Sequence, residues 1–449
     1  MLLSAFLISA ALAAAMTPLV ARLAKRARLL DIPDESRKQH RKPTPLFGGA
    51  AVIGSVFVTV ALLIIATEFL PAGAITRERL AGLALASAVL LLGGFLDDRY
   101  RLRPSRQIIF PILAAGIAVA SGVGIDFIGN PFGGDIRFDL WKVGALTLPA
   151  DAITFLWLLG MMYTTKLLDG LDGLVTGMTA IGAGMIVYVA MLPHINQPET
   201  ALLAAIFAGA LVGFLPWNFH PARIFLGESG SLFAGFFLGV LAVISGSKVA
   251  TTILVMAVPV FDVAWVISRR IARRRPLARG DREHIHFRLL DAGFSHRRAV
   301  LLLWITAAFF GALGLFFQTR EHIPGLGKET VEIELHGNRI AAELADRPQE
   351  WMRGLSGRDI LPEGRGMLFR FSRAEVRTFW MKDMRFPIDI IWIRDGVVIG
   401  IDANVPAPAA GESPTQRTSP EPVDAVLEVP AGFAAEAGII IGASIGHST

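Results

Sequence analysis

Two aspartates stand three residues apart inside a strongly apolar part of the chain, in the run KLLDGLDGL from Lys166 to Leu174. In helical geometry Asp169 and Asp172 share one face, and Gly170 and Gly173 allow backbone or a ligand to approach closely. Carboxylates at the end of a membrane span are costly unless they face water, a cation or a partner, which makes the run a candidate site. A cap on the following helix and a wet turn explain the same residues equally well.

Adjacent carboxylates, Asp97 and Asp98, end another apolar run in the sequence GFLDDRYRLRPS. Two neighbouring aspartates can hold a divalent cation bound to phosphate, or one can act as a base while the other binds. A capped and solvated turn balanced by Arg99, Arg101 and Arg103 is the alternative interpretation.

A third acidic position, Glu228, lies between glycine and serine in NFHPARIFLGESGSLF. Backbone N–H groups at a helix start suit an anion, and the carboxylate suits Mg²⁺ bound to that anion. A Ser-Gly cap with an acidic first turn accounts for the same sequence without any ligand.

Two further loops are basic. The loop DIPDESRKQHRKPTPLFGG places Lys42 before a Pro-Thr-Pro turn, and attraction to anionic lipid headgroups would also explain it. The loop RRIARRRPLARGDREHIHFRLLDAG contains Arg282, His284, His286 and Arg288, a cationic cluster suited to a pyrophosphate, although basic loops beside membranes are usually topogenic. Zinc is disfavoured because two histidines two residues apart lack further clear ligands.

The composition predicts a polytopic α-helical membrane protein that carries a small, mostly β, soluble domain at its C-terminus. Of the 449 residues, 53% are hydrophobic and 18% are charged, which is too apolar for an ordinary soluble domain. The chain has no cysteine, so disulfides, thiolate catalysis and thiolate metal ligation are excluded. The apolar N-terminus lacks a basic n-region and is interpreted as the first span rather than a signal peptide.

About ten apolar runs have spanning length. They lie at about residues 2–21, 48–66, 80–96, 108–124, 149–163, 174–192, 201–217, 231–245, 250–267 and 299–317. With ten alternating spans, the loops on one side hold 23 Lys and Arg, and those on the other side hold 5. The positive-inside rule then makes the first set cytoplasmic and both termini external. All the clusters described above fall in the cytoplasmic set, which favours metal-assisted transfer of a phosphorylated group at that surface.

Five motifs, in order, resemble those of the polyprenyl-phosphate N-acetylhexosamine-1-phosphate transferases, glycosyltransferase family 4. This membrane family contains phospho-N-acetylmuramoyl-pentapeptide transferase and the undecaprenyl-phosphate N-acetylglucosamine-1-phosphate transferases. The motifs are PTPLFGG, FLDD (95–98), KLLDGLDGL, IFLGESGS (224–231) and DREHIHFRLL (281–290). The resemblance covers about residues 1–320, and the Asp-Arg-x-His-Ile-His form of the last motif is more similar to the N-acetylglucosamine branch.

The resemblance implies a Mg²⁺-dependent reaction, with Mn²⁺ as a substitute, at the cytoplasmic face of a bacterial inner membrane. A UDP-N-acetylhexosamine and polyprenyl phosphate would give a polyprenyl-pyrophosphoryl sugar and UMP, the first membrane step of a cell-envelope polysaccharide. It implies that Asp97 and Asp98 are catalytic, with Asp98 acting on the lipid phosphate, and that the metal ligands are Glu228, Asp98 and Asp172. The implied substrate contacts are Lys42, Lys166, Asp169, Asp172, Arg282, His284 and His286. A homodimer is left open, and no nucleic-acid partner is expected.

Two positions depart from the family pattern. The metal-binding Asp of the Gly-Asp-x-Gly-Ser motif is Glu228 here, one methylene longer. The asparagine that usually stands three residues before the first Asp of the Asp-Gly-x-Asp-Gly motif is Lys166, which could pair with a phosphate or with Asp169. Either change could alter sugar choice or mark a divergent member.

A second domain is predicted at residues 330–449, after a polar linker at 321–329 that contains Pro and Gly. Short alternating runs predict strands at 331–335, 339–344, 367–371, 377–382, 388–393, 397–405 and 425–429, and the proline-rich stretch 406–422 predicts a mobile loop. The runs GMLF, FWMK, PIDI and LEVPAG resemble domain of unknown function 192, whose members often look exported, in agreement with an extracytoplasmic position. We expect Met367, Trp380 and Met381 to form its core.

Other functions remain as alternatives. The pentapeptide branch of the same family would use a different UDP-sugar. A transporter would line the bilayer midplane with polar groups, whereas here they gather in loops on one side. A membrane anchor with a decayed catalytic half, displaying the C-terminal domain, is the third alternative.

Overall fold

The structure, a computed structural model, divides the chain into two units. One unit comprises residues 1–128 and 136–316, and the other comprises residues 129–135 and 317–449. The residues that the structure describes are 1–33, 42–67, 75–125, 127–129, 135–138, 141–143, 146–192, 195, 197–245, 256–272, 283–320, 330–346, 350–351, 354–358, 360–408 and 414–447. The predicted linker at 321–329 lies outside these ranges.

Helices dominate the chain up to residue 320. They are α1 (Leu2–Arg26), α2 (Gly49–Thr67), α3 (Arg77–Tyr100), α4 (Pro104–Gln107), α5 (Ile109–Ala120), α6 (Ala150–Leu168), α7 (Leu174–Ala190), α8 (Pro198–Asn218), α9 (Gly227–Ile244), α10 (Ala257–Ala272), α11 (Ile285–Asp291) and α12 (His296–Arg320). Short strand pairs join some of them: β1 (Leu30–Asp31) with β2 (Thr44–Pro45), β3 (Phe127–Gly129) with β4 (Asp135–Arg137), and β5 (Trp141–Val143) with β6 (Leu146–Leu148).

Within the described ranges, six helices are long and apolar enough to cross a membrane: α1, α2, α3, α8, α9 and α12. The chain is therefore a membrane-spanning protein. The other predicted spans coincide with α5, α6, α7 and α10, which are shorter or less apolar, and the first residues of the run at 250–267 are not described. The count of ten spans stays a prediction.

Helix α9 forms the centre of this unit, because it is apolar on every side and 94% of its residues are buried. Small residues let its neighbours approach closely. A Cβ at Gly94 of α3 would lie 2.2 Å from the backbone nitrogen of Ser229, and one at Gly49 of α2 would lie 2.4 Å from Cα of Gly230. The two crossings bring the C-terminal end of α3 and the start of α2 against the first turn of α9.

The β-rich unit contains a seven-stranded sheet, ordered β12-β11-β14-β9-β8-β7-β15, and a two-stranded sheet of β10 with β13. The strands are β7 (Thr330–Leu335), β8 (Asn338–Ala345), β9 (Arg365–Glu375), β10 (Thr378–Trp380), β11 (Ile388–Arg394), β12 (Val397–Val405), β13 (Gln416–Thr418), β14 (Val423–Pro430) and β15 (Ile445–His447). Among the described strands of the seven-stranded sheet, β8 and β9 are the one pair that runs in parallel. In β11, Ile390 and Trp392 enter one apolar cluster while Ile391 and Ile393 enter another, so both faces of the strand are covered.

Each strand predicted in this unit is present, and two expectations need correction. Trp380 is 46% exposed, whereas Met367 and Met381 are buried as expected, so the tryptophan is not part of the core. Part of the predicted proline-rich loop forms β13, which pairs with β10, and residues 409–413 of the loop lie outside the described residues. Two short strands, β13 and β15, were not predicted because their sequences are too short to show alternation.

Candidate active site

Three of the five motifs meet where α2 and α9 begin and α3 ends. The Gly48 amide donates to the carbonyl of Phe225 at 2.9 Å, and the Gly49 amide donates to that of Leu226 at 2.8 Å. The rings of Phe47 and Phe95 meet edge to face, with centroids 5.5 Å apart. These contacts bring together the PTPLFGG, FLDD and IFLGESGS segments, which are distant in sequence.

At this meeting point Asp98 faces the first turn of α9. Asp98 Oδ1 accepts a long hydrogen bond, 3.4 Å, from the Glu228 amide. Asp98 Oδ2 is buried and has no hydrogen-bond partner among the described residues. Gly227 has a φ of +76°, and a Cβ there would lie 2.8 Å from Asp98 Oδ2. Glycine is therefore required by both the backbone and the space beside the carboxylate.

A chain of polar contacts links Asp97 to Glu228 and includes Lys166. Asp97 Oδ1 accepts from the Leu102 amide at 2.8 Å and from Gln107 Nε2 at 2.7 Å. Gln107 Oε1 in turn accepts from Lys166 Nζ at 3.3 Å, and Lys166 also forms an ion pair with Glu228 Oε1. Lys166 therefore contacts Glu228 rather than Asp169, and the two positions that depart from the family pattern touch each other.

The donor set at this point fits a divalent cation. Asp98 and Glu228 supply carboxylate oxygens, which Mg²⁺ and Mn²⁺ prefer, and the buried oxygen of Asp98 lacks a protein donor among the described residues. An unpaired buried carboxylate oxygen is costly, and a bound cation would remove that cost. Asp98 and Glu228 are the residues that would hold the ion, whose presence stays a prediction.

The second aspartate of KLLDGLDGL belongs to a different cluster. Asp172 Oδ2 accepts from the Ala222 amide at 3.1 Å and lies 2.8 Å from His220 Nδ1. The Asp172 amide donates to His296 Nε2 at 2.9 Å, and the rings of His220 and His296 stack with centroids 4.0 Å apart. These three residues place potential ligand atoms within 4.8 Å of one another. Asp172 contacts them rather than Asp98 or Glu228, and its sharing of a cation with those two residues stays a prediction.

The histidine motif packs against the same KLLDGLDGL turn. A Cβ at Gly170 would lie 2.3 Å from Nε2 of His286, which is fully buried, so only glycine leaves room for the imidazole. His284 Nδ1 lies 2.8 Å from Asp262 Oδ2, and the other carboxylate oxygen of Asp262 accepts from the Ile285 amide at 2.9 Å. Asp262 therefore fixes the start of α11 and the orientation of His284.

The prediction that the histidine motif is cationic is wrong for His286. Burial lowers the pKa of His286 to about 4, and repulsion from His284 contributes, so the imidazole is neutral at pH 7. Arg282 lies outside the described residues. Lys42 is exposed, as is Asp169, and the predicted contacts of both with substrate stay predictions.

Comparison with known proteins agrees with the resemblance drawn from the motifs. Residues 80–246 match the family described as "Glycosyl transferase family 4", and residues 331–447 match one described only as "Uncharacterized ACR", domain of unknown function 192. The chain is 32% identical over 312 residues to the "Probable undecaprenyl-phosphate N-acetylglucosaminyl 1-phosphate transferase" of Bacillus subtilis (strain 168), covering 68% of this chain and 82% of the relative. The chain belongs to glycosyl transferase family 4.

Other members of glycosyl transferase family 4 match over a similar length. The "Decaprenyl-phosphate N-acetylglucosaminephosphotransferase" of Mycobacterium leprae (strain TN) is 32% identical, over 68% of this chain and 81% of its own. The "Phospho-N-acetylmuramoyl-pentapeptide-transferase" of Bacillus cytotoxicus is 31% identical, over 70% of this chain and 95% of its own. Both branches of the family are thus represented among the relatives.

The sequence motifs did not indicate four polar residues of the site. Asp262 lies inside a predicted span, and an ionisable residue within an apolar run is itself a signal of function. Gln107 and His296 lie at the ends of helices, and His220 lies two residues after the end of α8, where polar residues are common and no local pattern distinguishes them. Their partners are distant in sequence, so only the fold identifies them.

Proposed function

We propose that the protein transfers N-acetylhexosamine 1-phosphate, of the N-acetylglucosamine type, from a UDP-sugar to undecaprenyl phosphate or another polyprenyl phosphate. The observation that carries the proposal is the approach of Asp98 to the first turn of α9, beside the Lys166–Glu228 ion pair. The names of the B. subtilis and M. leprae relatives support the N-acetylglucosamine substrate over the pentapeptide alternative. The alternatives of a transporter and a decayed anchor have no comparable support.

The chemistry is a displacement at phosphorus. An oxygen of the lipid phosphate attacks the β-phosphorus of the UDP-sugar, the bond from that phosphorus to the bridging oxygen breaks, and UMP leaves with the bond electrons. Asp98 is the residue that we assign to the lipid phosphate, since its carboxylate is buried and faces the first turn of α9. Asp97 is held by Leu102 and Gln107, and we infer that it positions this region.

Positive charge in the site has two sources in this proposal. Lys166 is the cation already present beside Glu228. Mg²⁺ or Mn²⁺, held by Asp98 and Glu228, would neutralise charge that develops on the phosphoryl oxygens and on the leaving UMP. Neutral His286 does not add charge, and it would serve to shape the turn at Gly170.

We place the reaction at the cytoplasmic face of a bacterial inner membrane, with ten spans and an extracytoplasmic C-terminal domain. The support is the excess of Lys and Arg in one set of loops, 23 against 5, and the clustering of the motifs in that set. The product would be the first lipid-linked intermediate of a cell-envelope polysaccharide.

The test is the nucleotide released by detergent-purified protein from UDP-N-acetylglucosamine with undecaprenyl phosphate, with and without Mg²⁺. Release of UMP that requires both lipid and Mg²⁺ supports the proposal. Release of UDP would instead indicate transfer of the sugar without its phosphate. UMP release only from UDP-N-acetylmuramoyl-pentapeptide would favour the other branch, and no release from folded protein would favour the decayed anchor.

A further inference from the structure

The ion pair between Lys166 and Glu228 occupies a carboxylate that the proposed reaction needs for a cation. Lys166 Nζ contacts Glu228 Oε1, and the two side chains are only 20% and 15% exposed. Partial burial weakens solvent screening, so the ammonium and the carboxylate attract each other more strongly than an exposed pair would. A divalent cation that binds Glu228 would therefore lie close to the ammonium group of Lys166.

The surroundings of Lys166 hold the ammonium in the site even when Glu228 is engaged elsewhere. Gln107 Oε1 accepts from Lys166 Nζ at 3.3 Å, and Gln107 itself is fixed by its bond to Asp97. The ring of Tyr163 lies with its centroid 5.6 Å from Nζ, a second favourable contact for a cation. The lysine can therefore release Glu228 without leaving the acidic cluster.

We propose that Lys166 and the divalent cation compete for Glu228, so that Lys166 acts as a positioning residue that lowers the cation affinity of the site. This inference rests on the proposed function, because it concerns the cation of that reaction. Two positive charges beside one carboxylate repel each other, and the first-bound one weakens the second. The displaced ammonium is then free to face the diphosphate of the UDP-sugar.

The test is Mn²⁺ affinity, measured by electron paramagnetic resonance on the full-length protein in detergent. Lys166→Met removes the charge and keeps an unbranched side chain that is only one atom shorter, and we expect it to bind Mn²⁺ about tenfold or more tightly than the wild type. Lys25→Met is the matched control, because Lys25 is exposed on the last turn of α1, and it should leave the affinity unchanged. Equal or weaker Mn²⁺ binding by Lys166→Met overturns the proposal, and so does the absence of Mn²⁺ binding in every variant.

A second measurement needs no variant. The wild-type chain is treated with acetic anhydride with and without Mg²⁺, and acetylation of Lys166 and Lys25 is followed by peptide mass spectrometry. Competition predicts faster acetylation of Lys166 in Mg²⁺ and no change at Lys25; unchanged or slower acetylation of Lys166 contradicts it. A protein that shows this competition but releases no UMP would contradict the proposed function and leave the inference standing.

Discussion

At the scale of single residues, the site depends on which polar atoms form hydrogen bonds within the protein and which do not. The Leu102 amide and the Gln107 side chain both donate to Asp97 Oδ1, whereas Asp98 keeps a buried oxygen without a partner in the described part of the chain. Adjacent aspartates thus have different surroundings. This difference is the basis on which we propose the reacting role for Asp98 and a positioning role for Asp97.

Gly170→Ala tests the contact between the KLLDGLDGL turn and the histidine motif. The added methyl group would meet His286 Nε2, a buried ring with little room to move, so we expect transfer activity to fall strongly while the helices still form. The control is Gly160→Ala on α6, where the new Cβ has nothing within 4 Å. UMP release is the measurement, and equal activity of the two variants would show that this contact is unimportant.

Glu428 in β14 provides a prediction of pH dependence in the β-rich unit. Burial raises the pKa of Glu428 to about 8, although the positive charge of Arg358 opposes this shift. In the unfolded chain the same carboxyl group has its ordinary pKa of 4.5, so between these two pH values the folded unit holds a proton that the unfolded chain has lost. The free energy of unfolding should therefore fall between pH 4.5 and about 8, by at most about 1.4 kcal/mol per pH unit, and then level off. Urea unfolding of residues 330–449 at several pH values measures it. The variant Glu428→Gln should lose this slope, and the same slope in both proteins would contradict the assignment.

The sequence singles out these residue types as candidates, but it does not indicate their partners. Asp98 and Glu228 are recognisable because carboxylates in apolar runs require an explanation. The pairing of Lys166 with Glu228, which are 62 positions apart, depends on how α6 packs on α9. Likewise, the contacts of Asp172 with His220 and His296 depend on the fold, because both histidines are distant from Asp172 in sequence.

At the scale of elements, close packing of α3 and α2 against α9 sets the geometry of the site. The crossings occur at Gly94 and Gly49, one turn or less from the motifs they position. Hydrophobic runs of spanning length predicted these helices correctly, because length and apolarity are local properties. The order of packing and the central position of α9 are not local, and the sequence did not indicate them.

Gly94→Ala tests this arrangement. A methyl group there would overlap the backbone of Ser229, so the helices must separate, at a cost of about 1–3 kcal/mol for an overpacked contact. We expect a lower melting temperature and reduced transfer, since Asp98 moves away from Glu228. Gly116→Ala on α5, with open space around its Cβ, should change neither quantity. A Gly94→Ala protein with wild-type stability and activity would contradict the role of this crossing.

At the scale of the whole molecule, the chain joins a membrane unit that carries all the candidate catalytic residues to a β-rich unit with its own core. The two family matches, at residues 80–246 and 331–447, fall on different units. The sequence predicts a boundary after residue 320, because composition and hydrophobic period both change there, and its exact position stays a prediction. The role of the β-rich unit was not predictable, since its strands indicate a fold and no chemistry.

Truncation after Arg320 tests the independence of the membrane unit. No candidate catalytic residue lies beyond that position, so we expect the shortened protein to release UMP at the rate of the full chain. Size-exclusion chromatography in detergent controls for folding. A folded but inactive truncated protein would mean that the β-rich unit takes part in the reaction.

The most direct test of the central claim is UMP release by Asp98→Asn and Glu228→Gln, compared with Glu78→Gln as the matched control. Glu78 is exposed at the opposite end of α3 from Asp98, so neutralising it leaves the site intact. We expect both site variants to lose about 10²-fold or more of the transfer rate while remaining folded, and the control to keep it. Full activity in Asp98→Asn and Glu228→Gln would contradict the claim that this pair of carboxylates carries the reaction.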